Sequence, residues 1–164
     1  MKRIRSRLVL AAALLLWPVV GFAGDAITGS ARVIDGDTLK IGTTTIRLFG
    51  IDAPEGKQSC KRDGIDWLCG QEAAKALREH VAGRDLSCEA RDRDRYKRVV
   101  AVCSIEGEDV NRWLVVEGWA LAYRQYSKAY VIDEETARDA RRGLWAGEFK
   151  KPWEWRLQKK RPLP

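Results

Sequence analysis

Five strand-like runs, a helical segment between the third and the fourth, and two more helices after the fifth predict an α+β chain. Its strands are expected to close into a small five-stranded β-barrel of the OB type with about three helices. Three observations carry this expectation. Short runs alternate apolar and polar residues with period two, Gly/Asp-rich turns separate them, and apolar residues recur at four-residue spacing from residue 71 onward.

Gly29 to Ile34 and Thr38 to Ile41 read as strands joined by the tight turn Asp35-Gly36-Asp37. Thr43 to Ile51 reads as a third strand, with Ile46 and Leu48 on one face, Arg47 and Phe49 on the other, and Pro54 ending it. The following stretch, GKQSCKRDGIDWLCG, shows neither period and is expected to be an irregular surface loop. From Gln71, Ala73, Leu77 and Val81 mark a helix that stops near Gly83. Asp85 to Arg93 and Arg98 to Ile105 form an antiparallel pair. Asp109 caps a short helix burying Val110, Trp113 and Leu114. A third helix is expected from about Asp133 to Arg142, with an acidic first turn, a basic last turn, Gly143 as its stop, and Ala137, Ala140 and Leu144 along its apolar stripe. Trp153 and Trp155 are expected to fold back onto the domain, and the basic tail from Lys159 to be loose.

The first 23 residues join a basic head (Lys2, Arg3, Arg5, Arg7) to an apolar run ending in Gly21-Phe22-Ala23, the pattern of a secretory signal peptide. Cleavage is expected after Ala23, with Ala26 as the other candidate, leaving one domain over residues 24–158 and a tail over 159–164. Removing the four basic residues of that segment leaves 26 basic against 23 acidic side chains, so the formal +7 of the whole chain falls to +3. The expected location is the periplasm or beyond the cell, as a monomer with no membrane segment after cleavage. Four cysteines in an exported chain suggest two disulfides. Of the three possible pairings, spacing favours Cys60 with Cys69, stapling a loop, and Cys88 with Cys103, bridging two strands. A zinc site has little support, because there is no CxxC and His80 is the only histidine. A serine triad lacks its G-x-S-x-G.

The segment VIDGDTLKIGTTTIRLFGIDAPE, residues 33–55, carries carboxylates and an arginine that a strand pair does not need. At about 3.3 Å per residue, antiparallel pairing brings Asp37 and Asp52 to the same end of the hairpin, and Glu55 follows within one turn. Each signal alone is weak, since DGD is usually a turn and DAPE can simply end a strand. Gathered together, three carboxylates would repel one another. A hard cation between them, mutually raised pKa values and dispersal into water are the three resolutions, and all remain open. An all-oxygen set suits Ca²⁺ better than zinc or copper. Arg47 alone reads as a solvated strand arginine, but with Arg98 and a cation it would match what phosphoryl chemistry asks for. In EARDRDRYKR, residues 89–98, Arg91 and Arg93 read more readily as a salt-bridged solvated hairpin than as a phosphate track. Tyr96 and Tyr126 are candidates for stacking on bases, or for packing. His80, beside Glu79, reads as a surface residue.

The linked motifs VIDGDT, IRLFGIDAPE, DRYKR and GWALAYRQY, from about Ala31 to Trp145, closely resemble the staphylococcal nuclease family in order and spacing. The resemblance implies an OB-like barrel and a Ca²⁺-dependent phosphodiesterase acting on DNA and RNA. By matching position, Asp37 and Asp52 are the calcium carboxylates, Ala53 supplies a backbone carbonyl, and Glu55 orients or deprotonates the attacking water. Arg47 and Arg98 match the two phosphate-binding arginines, with Arg95, Tyr96 and Tyr126 on the substrate side. Water would attack in line and the 5′-oxygen would leave, giving 3′-phosphates. Four departures stand out: Ala53 for a threonine, Lys97 for a glycine before the second arginine, Arg124 for a tyrosine, and the cysteine-bracketed loop after Glu55. The rival reading is a catalytically silent nucleic-acid-binding barrel, and a weaker third is an envelope module for another anion.

Overall fold

The structure is a computed structural model that describes residues 26–160. The signal segment expected over 1–23, with the cleavage site expected after Ala23, and residues 161–164 of the tail lie outside the described residues.

Closure of the barrel can be followed strand by strand. Strand β1 (Ile27–Asp35) pairs antiparallel with β2 (Thr38–Ile41), the register shifting between Val33 and Asp35 at the DGD turn. β2 pairs antiparallel with β3 (Thr44–Leu48), setting Thr38 opposite Arg47. A two-residue strand β4 (Ile51–Asp52) follows. Beyond the cysteine-bracketed segment, β7 (Asp85–Arg93) and β8 (Val99–Ile105) form the antiparallel pair expected, with Cys88 opposite Cys103. β7 returns to β1, and β8 lies parallel to β3 with Arg47 opposite Val100. The cyclic order β1-β2-β3-β8-β7 is a closed five-stranded barrel, so the α+β OB-type expectation holds.

Alternation along these strands builds the core. Leu39, Ile46, Leu48, Leu86, Val99, Ala101 and Ile105 point inward and are buried, joined by Leu77 and Leu114 from helices. Each buried Leu or Ile contributes about 1.5–3 kcal/mol. Helix α1 (Cys69–Val81) lies against β1 and buries Ala73, Ala74, Leu77 and Val81. It begins two residues before the Gln71 expected. β9 (Glu108–Asp109) leads into α2 (Val110–Val116), where the Asp109 carboxylate accepts from Arg112 N at 2.9 Å, the cap that the sequence predicts. β10 (Leu121–Ala122) pairs with β4 and sets Leu121 opposite Asp52.

Three expectations are corrected. The segment after Glu55 is not irregular: β5 (Cys60–Arg62) and β6 (Ile65–Trp67) form a hairpin whose two turn residues, Asp63 and Gly64, both take positive φ (52° and 78°). Asp-Gly is the favoured pair for that turn, because it tolerates left-handed backbone at both positions. Helix α3 (Val131–Asp139) starts and ends earlier than expected. Arg141 takes the left-handed conformation (φ 53°), and Leu144 belongs to a separate 3₁₀ turn, Gly143–Ala146. The segment carrying Trp153 and Trp155, with the first two residues of the tail expected to be loose from Lys159, forms a fourth helix, α4 (Pro152–Lys160), in which Pro152 suits the first turn because its missing N–H costs nothing there.

Both expected disulfides are present, Cys60–Cys69 and Cys88–Cys103, with Cα–Cα separations of 5.7 and 4.0 Å. The first sits in a second apolar cluster with Leu121, Leu144, Trp67, Trp145, Phe149 and Trp153, which seats the base of α4. Among the described residues, no helix is long and apolar enough to cross a membrane.

Candidate active site

The DGD turn and the β3–β4 hairpin bring their carboxylates to one end of the barrel. Asp37 and Asp52 are both buried, at 4% and 0% exposure. Arg47 lies between them, Nη1 donating to Asp37 Oδ1 at 3.0 Å and Nη2 to Asp52 Oδ1 at 2.6 Å. It is therefore not a solvated strand arginine. Asp37 Oδ2 also accepts from Ala53 N at 2.9 Å, and Oδ1 accepts from Thr38 Oγ1 at 3.1 Å. Burial pushes the Asp37 carboxyl up to about 6 against the pull of Arg47, and the nearby Asp35 carboxylate pushes the same way. Burial also raises Asp52, against its bonds to arginine.

Ala53 is buried, and its methyl requires a glycine at the facing position of the DGD turn. A Cβ on Gly36 would come within 2.7 Å of the Ala53 methyl, so the DGD turn lies directly on that side chain. Glu55 is held through its main chain: its N donates to Gln58 Oε1 at 3.2 Å, and its carbonyl accepts from Gln58 N at 2.7 Å. Gln58 is fully buried and donates onward to the Lys150 carbonyl at 2.7 Å, tying the Glu55 turn to the start of α4. Gly70 leaves the space for this, since a Cβ there would lie 1.8 Å from the Glu55 carbonyl oxygen.

Arg98 reaches the same end by the parallel β3–β8 pairing, which sets Val99 opposite Ile46. Its Nε donates to Asp94 Oδ2 at 2.7 Å and its Nη1 to Thr38 Oγ1 at 3.3 Å. Asp94 Oδ1 also accepts from the N–H groups of Tyr96 and Arg98, and Lys97 takes the left-handed backbone (φ 64°). The lysine thus adopts the conformation that glycine reaches without strain, and the Asp94 bonds hold the turn closed around it.

A cleft of about 810 Å³ opens over these groups, lined by Asp37, Arg47, Glu55 and Arg98, with Arg95, Tyr96 and Tyr126 along its sides. All seven are residues that the sequence singles out. Arg95 and Arg98 lie over the exposed Tyr96 ring at 4.9 and 5.6 Å. Arg91 pairs with Glu89 in solvent, and neither it nor Arg93 lines the cleft. Arg124 is tethered by an ion pair to the buried Glu134 of α3 and lines an adjoining cavity of about 640 Å³, which shares Tyr123 and Arg156 with the cleft.

Two residues depart from the sequence reading. His80 is not a surface residue: its ring stacks on Trp113 at 3.7 Å and is 10% exposed, and burial lowers its pKa. Arg156, on α4, enters the cleft unannounced. It donates to Asp52 Oδ1 and Oδ2 at 3.0 and 2.7 Å and to Glu55 Oε1 at 2.8 Å. These bonds overcome the effect of burial and hold its guanidinium above its ordinary range. One basic residue among many in a basic segment gives no signal, although P-W-E-W-R carries a proline first turn and helical spacing.

The donor set fits a hard cation in kind: two buried carboxylates, a third at the rim and no sulfur or imidazole. Among the described residues, no three metal-ligating side chains stand gathered as a ready cage, because the two arginines span them.

The sequence model of the family described as Staphylococcal nuclease homologue matches residues 45–147. The chain is 40% identical over 141 residues to the succinoglycan biosynthesis protein ExoI of Rhizobium meliloti, covering 84% of this chain and 73% of that one. It is 36% identical over 151 residues to an uncharacterized endonuclease of Escherichia coli, covering 87% of this chain and 92% of the other. The chain belongs to the staphylococcal nuclease family. A probable staphylococcal-like nuclease CAN4 from Oryza sativa is 35% identical over 71% of this chain, which spans 22% of that longer protein. This family member is accordingly a nuclease, a phosphodiester hydrolase. Its Arg47, Asp52, Glu55 and Arg98 fall inside the matched span of the family, whereas Asp37 and Arg156 lie outside it.

Proposed function

We propose that the protein is an exported, Ca²⁺-dependent nuclease that hydrolyses DNA and RNA in the cleft at the open end of the barrel. The observation that carries this reading is that Asp37, Glu55, Arg47 and Arg98 line one cleft beside exposed Tyr96 and Tyr126, with the buried Asp52 bonded to Arg47. Two disulfides and a signal-like first segment support export.

A calcium ion would be held by Asp37, Asp52 and the Ala53 carbonyl with Glu55 nearby, and would offset phosphate charge when bound. The protein's own groups do the rest. Tyr96 and Tyr126 give sequence-tolerant faces for bases, and Arg95 adds charge along the backbone. Arg98, braced by Asp94 and Thr38, presents a fixed guanidinium to a phosphate, and Arg47 places a second positive charge on the cleft floor. Both favour the state in which charge accumulates on the phosphate oxygens. Glu55, about one-third exposed on a turn fixed by Gln58, is the carboxylate that would accept a proton from water. The water oxygen bonds to phosphorus as the bond to the 5′-oxygen breaks and that oxygen takes a proton from solvent, leaving a 3′-phosphate on one product and a 5′-hydroxyl on the other.

Incubating purified protein with labelled single-stranded DNA and RNA, with Ca²⁺ or with a chelator, tests this directly. Calcium-dependent cleavage to 3′-phosphate ends is expected. Binding without cleavage under any divalent cation would favour a silent nucleic-acid-binding barrel instead.

A further inference from the structure

We propose that Arg156 stands in for the divalent cation in the metal-free enzyme, so that cation binding proceeds by displacing its guanidinium from Asp52 and Glu55. This deepens the preceding reading and rests on its claim that those carboxylates hold a cation.

The case begins with the oxygens. Asp52 Oδ1 already accepts from Arg47 at 2.6 Å and from Arg156 at 3.0 Å, Oδ2 accepts from Arg156 at 2.7 Å, and Glu55 Oε1 accepts from Arg156 at 2.8 Å. A carboxylate oxygen offers about two lone-pair directions, so Oδ1 has none left for a metal. Arg156 takes part in every carboxylate bond between Asp52 and Glu55, and it is the only residue bridging that pair among the described residues. A divalent cation within bonding distance of those oxygens would face a like charge already in hydrogen-bond contact with them. The two cannot share the site.

The displacement is local. The base of α4 is fixed by the Gln58 bond to the Lys150 carbonyl, by the buried Pro152 and by the Trp153 ring stacked on Tyr123 at 5.3 Å. The hairpin β5–β6 adds main-chain bonds between Lys61 and Glu148, both at 2.8 Å. Arg156 lies one turn beyond these anchors, on a flexible stem whose side chain is 31% exposed toward the cleft. Rotation of that stem releases Asp52 and Glu55 without unseating the helix. The freed guanidinium stays in the cleft beside Trp155 and Lys159 of the same helix, where a substrate phosphate is its natural partner. α4 lies beyond residue 147, outside the matched family span.

Calorimetric Ca²⁺ titration without nucleic acid separates the possibilities, using the wild type, Arg156→Gln, Arg156→Lys and Lys159→Gln. Arg156→Gln is expected to bind Ca²⁺ at least fivefold more tightly than wild type, and Arg156→Lys to fall between them because one ammonium cannot fork across both carboxylates. Lys159→Gln, which removes the same charge from the same cleft but no bond to the carboxylates, is expected to change affinity less than twofold. Melting should agree: Arg156→Gln unfolds at lower temperature than wild type in chelator and gains more on adding Ca²⁺. Equal Ca²⁺ affinity in wild type and Arg156→Gln overturns the displacement while leaving the calcium site standing, as does an equal gain from Lys159→Gln. Absence of Ca²⁺ binding in every variant overturns the calcium reading itself, and the displacement with it.

Discussion

Replacing Arg47 by lysine separates a forked guanidinium from a mere positive charge. Arg47 spans two buried carboxylates with different nitrogens, at 3.0 and 2.6 Å, from a side chain only 20% exposed. A lysine ammonium on the same stem can reach one of them but cannot hold both in that geometry. Breaking a buried pair typically costs about 3–5 kcal/mol. Here Asp52 keeps Arg156, and Asp37 keeps Ala53 N and Thr38 Oγ1, which limits the loss to about 2–3 kcal/mol. For a domain of this size that lowers the melting temperature by roughly 10 °C. Catalysis should fall further, because losing one preorganised donor to a developing charge costs about 10²–10³ in kcat. Thermal melting in chelator reads the first effect, and cleavage of a fluorescent single-stranded oligonucleotide at saturating Ca²⁺ reads the second. An Arg47→Lys enzyme that melts with the parent and retains more than a third of its kcat would refute the role given to the fork.

Two further outcomes follow from local geometry. Gly70→Ala puts a methyl 1.8 Å from the Glu55 carbonyl, so the turn must move; a stability loss of about 1–3 kcal/mol in denaturant titration is expected, with cleavage reduced more than tenfold, and parental behaviour in both would contradict the packing argument. His80 has a pKa lowered by burial, so the folded state binds fewer protons than the unfolded state just below pH ~6.5. Stability present above that pH is therefore lost as pH falls toward the folded value, and His80→Phe should flatten this loss in urea melts followed between pH 7 and 5; an unchanged slope would show that His80 does not titrate with folding.

Legibility in the sequence followed how local each signal was. Ile46, Arg47 and Leu48 alternate in three consecutive positions, so the strand and its faces could be read directly, and the DGD turn placed Asp37 beside the end of β3. The hard link was Arg98, which reaches the carboxylate end only through a parallel pairing between strands some 50 residues apart, something no local period encodes. The β5–β6 hairpin was hidden because its strands are only three residues long and half of their residues are charged, although Asp63-Gly64 was the available signal. His80 looked exposed because its partner, Trp113, comes from another helix. Arg156 was least legible. Its importance comes from the Gln58 clamp and the second apolar cluster, which together aim an otherwise ordinary basic helix into the cleft.

The most direct test of the whole account is the initial rate of single-stranded oligonucleotide cleavage as a function of Ca²⁺, measured side by side for the parent and Glu55→Gln. The account predicts saturable calcium dependence in the parent, abolition by chelator, and a loss of at least 10² in the variant at saturating Ca²⁺ while oligonucleotide affinity is retained. Cleavage that persists in chelator, or a Glu55→Gln enzyme as fast as the parent, would contradict it.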